Sequence, residues 1–161
     1  MKKDKITKTP WIQTVINRYG ETVYNLCHRI LLNEGEAQIL TRDIFKTIEK
    51  SPTQNRYHQF EKQWILKVAF QKLKQSHQQH IDLSLKEVRE LNETHLSKEE
   101  RLENILKYMR NLPIESQFIL LLKDQLNESY DEISTITGIP IESLKVKRQQ
   151  VLQTLEEWIW Q

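Results

Sequence analysis

The hydrophobic residues of the chain recur at intervals of three and four positions, which is the spacing of an amphipathic α-helix. Before residue 51 this pattern predicts three helices, separated at Gly20 and at the Asn-Glu-Gly sequence of residues 33–35. Pro10 is suited to the first turn of the first helix. A further helix carries the apolar positions of residues 60–73. The first half of the chain therefore predicts a small helical bundle.

Signals for helix ends are also present in the second half of the chain. Ser97 is followed three residues later by Glu100, and Ser129 by Glu132, which is the capping-box pattern of a helix N-terminus. Gly138 is suited to end the helix that follows Ser129, and another apolar helical pattern comes after it. Two short helices around a glycine predict a helix–turn–helix, the motif that places its second helix in the major groove of DNA.

A polar stretch separates the two halves. Residues 76–96 mix Gln, His, Asp and Glu with single apolar residues, a composition typical of a linker. We therefore expect an all-α protein with two small helical domains, residues 1–76 and 97–161, joined by a flexible linker over residues 77–96. Three Gly and four Pro in 161 residues leave little material for a turn-rich sheet, which favours the same fold class.

Charge is distributed unevenly, although the formal net charge is only +2. Residues 1–75 contain 14 Lys and Arg against seven Asp and Glu, whereas residues 113–161 contain four against eight. The first domain is thus basic and the second acidic. The single Cys27 cannot form an internal disulfide, and no apolar run reaches the roughly 18 residues that span a bilayer. Since the N-terminus also lacks a signal-peptide pattern, the expected location is the cytoplasm.

The sequence contains no recognisable catalytic or metal-binding pattern. It has no Gly-rich phosphate loop, and its carboxylates form no isolated pair. The histidines lack the spacing of metal ligands, and the two that lie three residues apart belong to the polar linker. These histidines are His28, His58, His77, His80 and His95. We therefore expect no enzyme activity, no cofactor and no metal site.

Three blocks in fixed order carry a resemblance to a known family. They are YGETVYNLCHRILLNEGEAQILTRDIFKTIEKS, WILKVAFQKLKQ, and NLPIESQFILLLKDQLNESYDEISTITGIPIESLKVKRQQVLQTLEEWI. In order, spacing and total length the chain resembles the extracytoplasmic-function (ECF) sigma factors of bacterial RNA polymerase. The first two blocks resemble region 2 of that family and the third resembles region 4. The resemblance implies a sigma factor that binds core RNA polymerase and directs promoter-specific initiation of transcription.

In that family the helix matching residues 37–48 binds the clamp helices of the β′ subunit. The resemblance implies that this contact is made by Gln38, Ile39, Arg42, Asp43 and Phe45. The pattern gives separate support, because Ile39 and Phe45 fall off the main apolar stripe of the helix, and an exposed apolar pair favours a partner. The alternative is that both residues help to close a small core.

The loop and helix of residues 52–75 match the part of the family that opens promoter DNA at the minus-ten element. Aromatic side chains interleaved with cations suit a single strand, since bases stack on rings and phosphates pair with cations. The alternative is that Phe60 and Trp64 are core residues, which we prefer for Trp64. The implied contacts are Arg56, Tyr57, His58, Phe60, Lys62, Trp64, Lys67, Gln71, Lys72 and Lys74.

The last helix matches the one that enters the major groove at the minus-thirty-five element. Arg pairs bidentately with guanine and Gln with adenine, so Arg148 and Gln149 are the implied readers, beside Ser143 and the phosphate-binding Lys145 and Lys147. A solvated helix face is the alternative for each lysine. The resemblance also implies an apolar surface for the flap of the β subunit. Its implied residues are Phe118, Leu121, Leu122, Trp158, Ile159 and Trp160.

The sequence departs from the family pattern at three places where the family contacts polymerase or DNA. The clamp-binding helix has Gln38, Ile39 and Arg42 where the family has an acidic pair and Gln. Gln71 replaces an Asn that an arginine run follows, and Arg148 with Gln149 replaces Leu and His. Together with the acidic second domain, these departures predict weak intrinsic affinity for DNA, because phosphate contacts by cations supply most non-specific affinity.

Weak intrinsic affinity suggests help from a DNA-targeting recruiter, and an anti-sigma factor is a further possible partner. Two other classes fit parts of the sequence. One is a helix–turn–helix regulator, which accounts for residues 97–161 alone. The other is a degenerate sigma-like interaction protein that has lost its DNA contact.

Overall fold

The computed structural model describes residues 10–51, 58–77 and 97–159. These residues form seven α-helices and one π-helical turn, and they contain no β-strand. The all-α fold predicted from the sequence is confirmed. Contacts divide the chain into two units, with the division between Leu73 and Lys74. The domain limits expected from the sequence remain a prediction, because most of the proposed linker lies outside the described residues.

The first unit contains α1 (Pro10–Leu31), α2 (Glu34–Lys50) and most of α3 (His58–His77), whose last four residues lie beyond the division at Leu73. Each helix contributes an apolar stripe at helical spacing, and burial of these stripes stabilises helices that would be marginal alone. The buried apolar residues are Ile12, Val15, Val23, Leu26, Cys27, Ile30, Ala37, Ile44, Phe45, Ile48, Ile65, Leu66, Ala69, Phe70 and Leu73.

Helix α1 continues through Gly20, so the predicted end of a helix at this residue is wrong. A glycine inside a helix costs only about 1 kcal/mol relative to alanine. Val15 and Val23 are buried on either side of it, and their burial stabilises a continuous helix more than the glycine destabilises it. Residues 10–51 therefore form two helices, rather than the three that the pattern predicted.

The actual break lies at Leu32 and Asn33. Leu32 takes a left-handed backbone with φ 57°, an uncommon conformation for a residue with a side chain. The Asn33 side chain accepts a hydrogen bond from the Glu36 backbone N–H at 2.9 Å and thereby caps α2. Gly35 lies inside α2 and does not form the turn. Capping by asparagine, which the sequence reading overlooked, places the start of α2.

Several side-chain pairs in the described part of the first unit join its helices. Arg18 of α1 donates to Glu61 of α3 at 2.7 Å, and this pairing satisfies a carboxylate that is almost fully buried. Trp11 stacks on Trp64 with 6.2 Å between ring centroids. A third pair, Lys72 with Asp43 at 3.1 Å, joins α3 to α2 near the surface.

The second unit contains α4 (Lys98–Arg110), α5 (Ile114–Leu120), a π-helical turn (Leu121–Gln125), α6 (Tyr130–Thr137) and α7 (Ile141–Ile159). The hydroxyls of Ser97 and Ser129 accept the backbone N–H of Glu100 and Glu132, at 3.2 Å and 3.1 Å. Both predicted N-caps are confirmed by these bonds. The π-helical turn was not predicted.

The core of the second unit is formed by α5 and the residues packed around it. The Gln117 amide donates to the carbonyl oxygens of Arg110 and Leu112 at 3.2 and 2.9 Å, so it fixes the corner between α4 and α5. Five of the seven residues of α5 are buried, which is the pattern of a helix inside a core. The buried apolar residues of the unit are Tyr108, Leu112, Ile114, Phe118, Ile119, Leu122, Ile133, Ile136, Leu144 and Val151.

Candidate nucleic-acid interface

The turn between α6 and α7 is held by backbone and side-chain hydrogen bonds. Gly138 has φ 76°, and its N–H donates to the Ser134 carbonyl oxygen at 2.8 Å. The Ser134 hydroxyl donates to the Ile139 carbonyl oxygen at 2.7 Å, and the Ile139 N–H donates to Thr137 Oγ1 at 3.2 Å. The two helices of the predicted helix–turn–helix are thus joined in a fixed geometry.

Buried residues of α7 determine which of its faces is exposed. Leu144 and Val151 are in the core of the unit. Of the five residues that sequence analysis assigned to minus-thirty-five DNA, Ser143, Lys145 and Gln149 are exposed, whereas the other two, Lys147 and Arg148, are half-buried. The face required for a reading helix is therefore open along the first turns of α7 and mostly polar, with Val146 exposed on it.

Arg148, the expected guanine reader, is paired within the protein. Its Nη2 and Nε donate to the two carboxylate oxygens of Asp124 at 2.6 Å and 3.1 Å. This hydrogen bonding to Asp124 raises the pKa of Arg148 above its usual value, and Tyr130 adds a smaller contribution. The Asp124 partner could not be identified from spacing, since it lies 24 residues away in the chain.

Tyr130, the first residue of α6, lies next to further cations. Lys123 Nζ lies 4.6 Å from the centre of the Tyr130 ring, and Lys145 Nζ lies 5.8 Å from it, both within cation–π range. Residues 113–161 contain only four Lys and Arg. Three of them, Lys123, Lys145 and Arg148, thus lie around one tyrosine, although the unit as a whole is acidic.

The predicted polymerase-binding helix presents part of the expected surface. Ile39 is 67% exposed, and Gln38 and Arg42 are also exposed. Asp43 is half-buried and paired with Lys72, which sequence analysis had assigned to minus-ten DNA. The structure therefore brings one expected polymerase residue into contact with one expected DNA residue.

Phe45 was expected to be exposed beside Ile39, and this expectation is wrong because Phe45 is only 5% exposed. It follows Ile44 directly, and a helix in a small bundle buries a stripe wide enough for adjacent positions. Phe45 contributes to a groove of about 440 Å³ between α1 and α2. The groove is lined by Ile12, Ile16, Gly20, Thr41, Arg42, Phe45, Lys46 and Glu49.

The residues expected at minus-ten DNA fall into three groups. Arg56 and Tyr57 lie outside the described residues, as do the side chains of His58 and Phe60. Lys67, Gln71 and Lys74 are exposed on α3, at intervals of four and three residues that place them on one face. Lys62, Trp64 and Lys72 are half-buried, and the Trp64 ring stacks on Trp11.

Two of the residues expected on the apolar surface for the β flap are not at the surface. Phe118 and Leu122 are fully buried, because α5 lies in the core of its unit, and only Leu121 is partly exposed. The side chains of Trp158 and Ile159, and all of Trp160, lie outside the described residues. Sequence reading missed the apolar residues that are exposed in this unit, which are Leu102, Leu106, Val146 and Leu152.

The residues that the structure describes include neither a candidate metal site nor a helix that could span a membrane. No group of three or more His, Cys, Asp or Glu side chains there could hold a metal ion. No helix in these parts of the chain is long and apolar enough to cross a membrane.

The second unit is a small all-α domain in which a helix–turn–helix presents an open polar face. Residues 102–155, about a third of the chain, match the family model of sigma-70, region 4. This stretch is similar to sigma-70 region 4, and the match bears out the resemblance to the sigma-70 family that the sequence carries. The match supports a DNA-binding role in transcription initiation. No curated protein matches the chain.

Proposed function

We propose that the chain is a sigma factor of the ECF type, which acts in the cytoplasm, binds core RNA polymerase and directs promoter-specific initiation. The observation that carries the proposal is the sigma-70 region 4 domain, whose helix–turn–helix exposes Ser143, Lys145 and Gln149. The separate three-helix unit before it supports a region 2 role, since its second helix exposes an isolated large apolar residue, Ile39, beside a cation.

Contact with the β′ clamp helices is assigned to the outer face of α2. Exposure of the Ile39 side chain to water is unfavourable, and a partner that covers it would remove this cost. Arg42 lies beside Ile39 and can pair with a carboxylate of the partner. Arg42 also borders the groove between α1 and α2, whose apolar lining includes Phe45 and the half-buried Ile16. Burial of Phe45 therefore still allows it to contribute to this contact, through the groove.

Minus-ten DNA is assigned to α3 and to the residues before it. Lys67, Gln71 and Lys74 form an exposed polar row that can follow phosphates of a strand. Arg56, Tyr57, His58 and Phe60 remain candidates for holding bases. Trp64 is assigned to packing, since it stacks on Trp11.

Weak intrinsic affinity for DNA is part of the proposal. Residues 113–161 contain four Lys and Arg against eight Asp and Glu, and one of these cations, Arg148, is already paired with Asp124. Because each phosphate contact contributes a salt-sensitive increment to affinity, few contacts give weak binding. A DNA-targeting recruiter would supply the missing affinity, and an anti-sigma factor could occupy the same polymerase-binding face.

The main test is capture of purified core RNA polymerase by the tagged full chain. We expect retention of β and β′, and we expect Arg42→Glu to abolish it. Arg29→Glu on α1 is the matched control, because Arg29 is an exposed arginine outside the groove and its reversal changes charge equally. If the unaltered chain captures no polymerase, the sigma-factor proposal is wrong.

Gel filtration and DNA crosslinking separate the alternatives. A stable homodimer without affinity for polymerase would favour a helix–turn–helix regulator. Polymerase binding without DNA crosslinking would favour a degenerate interaction protein. Robust initiation by core enzyme plus this chain alone, at physiological salt, would show that no recruiter is required.

A further inference from the structure

The π-helical turn after α5 changes which side chains face the helix–turn–helix. The Leu126 N–H donates to the Leu121 carbonyl oxygen at 3.0 Å, which is the five-residue hydrogen bond of a π-helix. One extra residue per turn rotates the side chains that follow by about 100° relative to a continuous α-helix. Leu122 remains fully buried, while Lys123 and Asp124 lie against α6 and α7.

Two residues of this turn, Lys123 and Asp124, belong to the group of charged side chains around Tyr130. Lys123 Nζ lies over the Tyr130 ring that Lys145 also approaches. Asp124 holds the two donors on one edge of the Arg148 guanidinium. We define Lys123, Lys145, Arg148, Tyr130 and Asp124 as the cationic cluster, in which Asp124 is the only carboxylate.

We propose that the π-helical turn is part of the DNA-binding surface, where Lys123 contacts a phosphate beside the recognition helix and Asp124 restrains Arg148 so that binding stays weak. The inference rests on the proposed DNA-binding function of region 4. Lys123 lies outside the helix expected to enter the groove, so it adds a contact that the recognition helix alone does not provide. Asp124 acts through Arg148 and is therefore a positioning residue.

The charges of the cluster explain the direction of the effect. A guanidinium that already pairs bidentately with a carboxylate neutralises little of the charge on a phosphate. Few counterions are then released from the DNA when it binds. Replacing Asp124 by Asn keeps the shape and removes the negative charge. Arg148 then becomes an additional cation toward DNA, which steepens the salt dependence of binding.

The test measures binding of the full chain to a short mixed-sequence duplex by fluorescence anisotropy over a range of salt concentrations. For Asp124→Asn we expect the slope of log affinity against log salt to steepen by about 0.9, or about eightfold in affinity per tenfold change in salt. For Lys123→Ala we expect the slope to become shallower by a similar amount. Glu156→Gln, an equal charge change at an exposed position about 12 Å further along α7, should leave the slope unchanged.

A double variant tests whether the gain depends on Arg148. Arg148→Ala in the Asp124→Asn background should remove the increase, and a gain that persists would overturn the restraining role of Asp124. Unchanged or weaker binding by Asp124→Asn would also overturn the restraining role of Asp124. If the unaltered chain binds the duplex in that experiment, the proposed DNA-binding function is still supported. If neither the unaltered chain nor Asp124→Asn binds at low salt, the DNA contact of region 4 fails together with this inference. Circular dichroism melting confirms that each variant is folded.

Discussion

Two glycines with different backbone conformations should respond oppositely to the same substitution. Gly138, between α6 and α7, has φ 76°, and an added Cβ would meet no atom within 4 Å. Gly20 lies inside α1, where an added Cβ would be 3.5 Å from Ile16 Cγ2, an ordinary contact distance. Neither substitution creates a steric clash, so backbone conformation determines the sign of each effect.

The magnitudes follow from the cost of a left-handed backbone. An L-residue in that conformation costs about 1–2 kcal/mol, and alanine recovers about 0.4–1 kcal/mol through a less flexible unfolded chain. Gly138→Ala should therefore destabilise the second unit by about 1 kcal/mol, which lowers the melting temperature of a domain of this size by about 4–8 °C. Gly20→Ala should stabilise the first unit by about 0.5–1 kcal/mol, since alanine is the better residue inside a helix.

Urea denaturation followed by circular dichroism measures both free energies of unfolding, and amide hydrogen exchange locates each change in its own unit. Slower exchange in α1 is expected for Gly20→Ala, and faster exchange in α6 and α7 for Gly138→Ala. An increase in stability for Gly138→Ala, or changes of the same sign in both variants, would refute the reasoning.

Three further predictions concern the helix ends and the buried thiol. Leu32→Gly should raise the stability of the first unit by about 0.5–1 kcal/mol in urea denaturation, because Leu32 is exposed and has φ 57°. Ser129→Ala should lower the stability of the second unit by about 1 kcal/mol, since the Glu132 N–H loses its partner. Ser129→Asp should preserve the stability, because an aspartate can accept the same hydrogen bond. Equal losses of stability in both variants would argue against capping. Burial raises the pKa of the Cys27 thiol to about 11, above its ordinary value of 9.0. The stability that the protonated thiol contributes should be complete below pH 9.0 and should decline toward pH 11. Urea denaturation over this pH range measures the decline. A decline that persists in Cys27→Ala would show that ionisation of the thiol is not its cause.

The helix ends that carry their own chemistry could be predicted from sequence. Ser97 and Ser129 cap their helices as expected, and Gly138 ends α6 in the left-handed conformation. These signals are local, because a cap or a left-handed turn depends on a few neighbouring residues. Gly20 gave a misleading signal, since burial on both sides of it determined the continuity of α1.

The candidate site was less predictable because it depends on neighbours distant in the chain. The periodicity of α2 identified Ile39 as exposed but could not show that Phe45 would be covered by α1. Phe118 and Leu122 were likewise assigned to a surface, although α5 is central in its unit. Arg148 pairs with Asp124, a residue of the π-helical turn, for which no sequence pattern was recognised.

The alternation of buried and open positions on α7 also affects how the protein can evolve. Leu144 and Val151 are in the core, whereas Ser143, Lys145 and Gln149 make no contribution to it. Mutations at the open positions should therefore be nearly neutral for folding. Duplicated copies of such a gene can therefore diverge in the surface chemistry of α7 by substitution at those three sites, without compensating changes in the core.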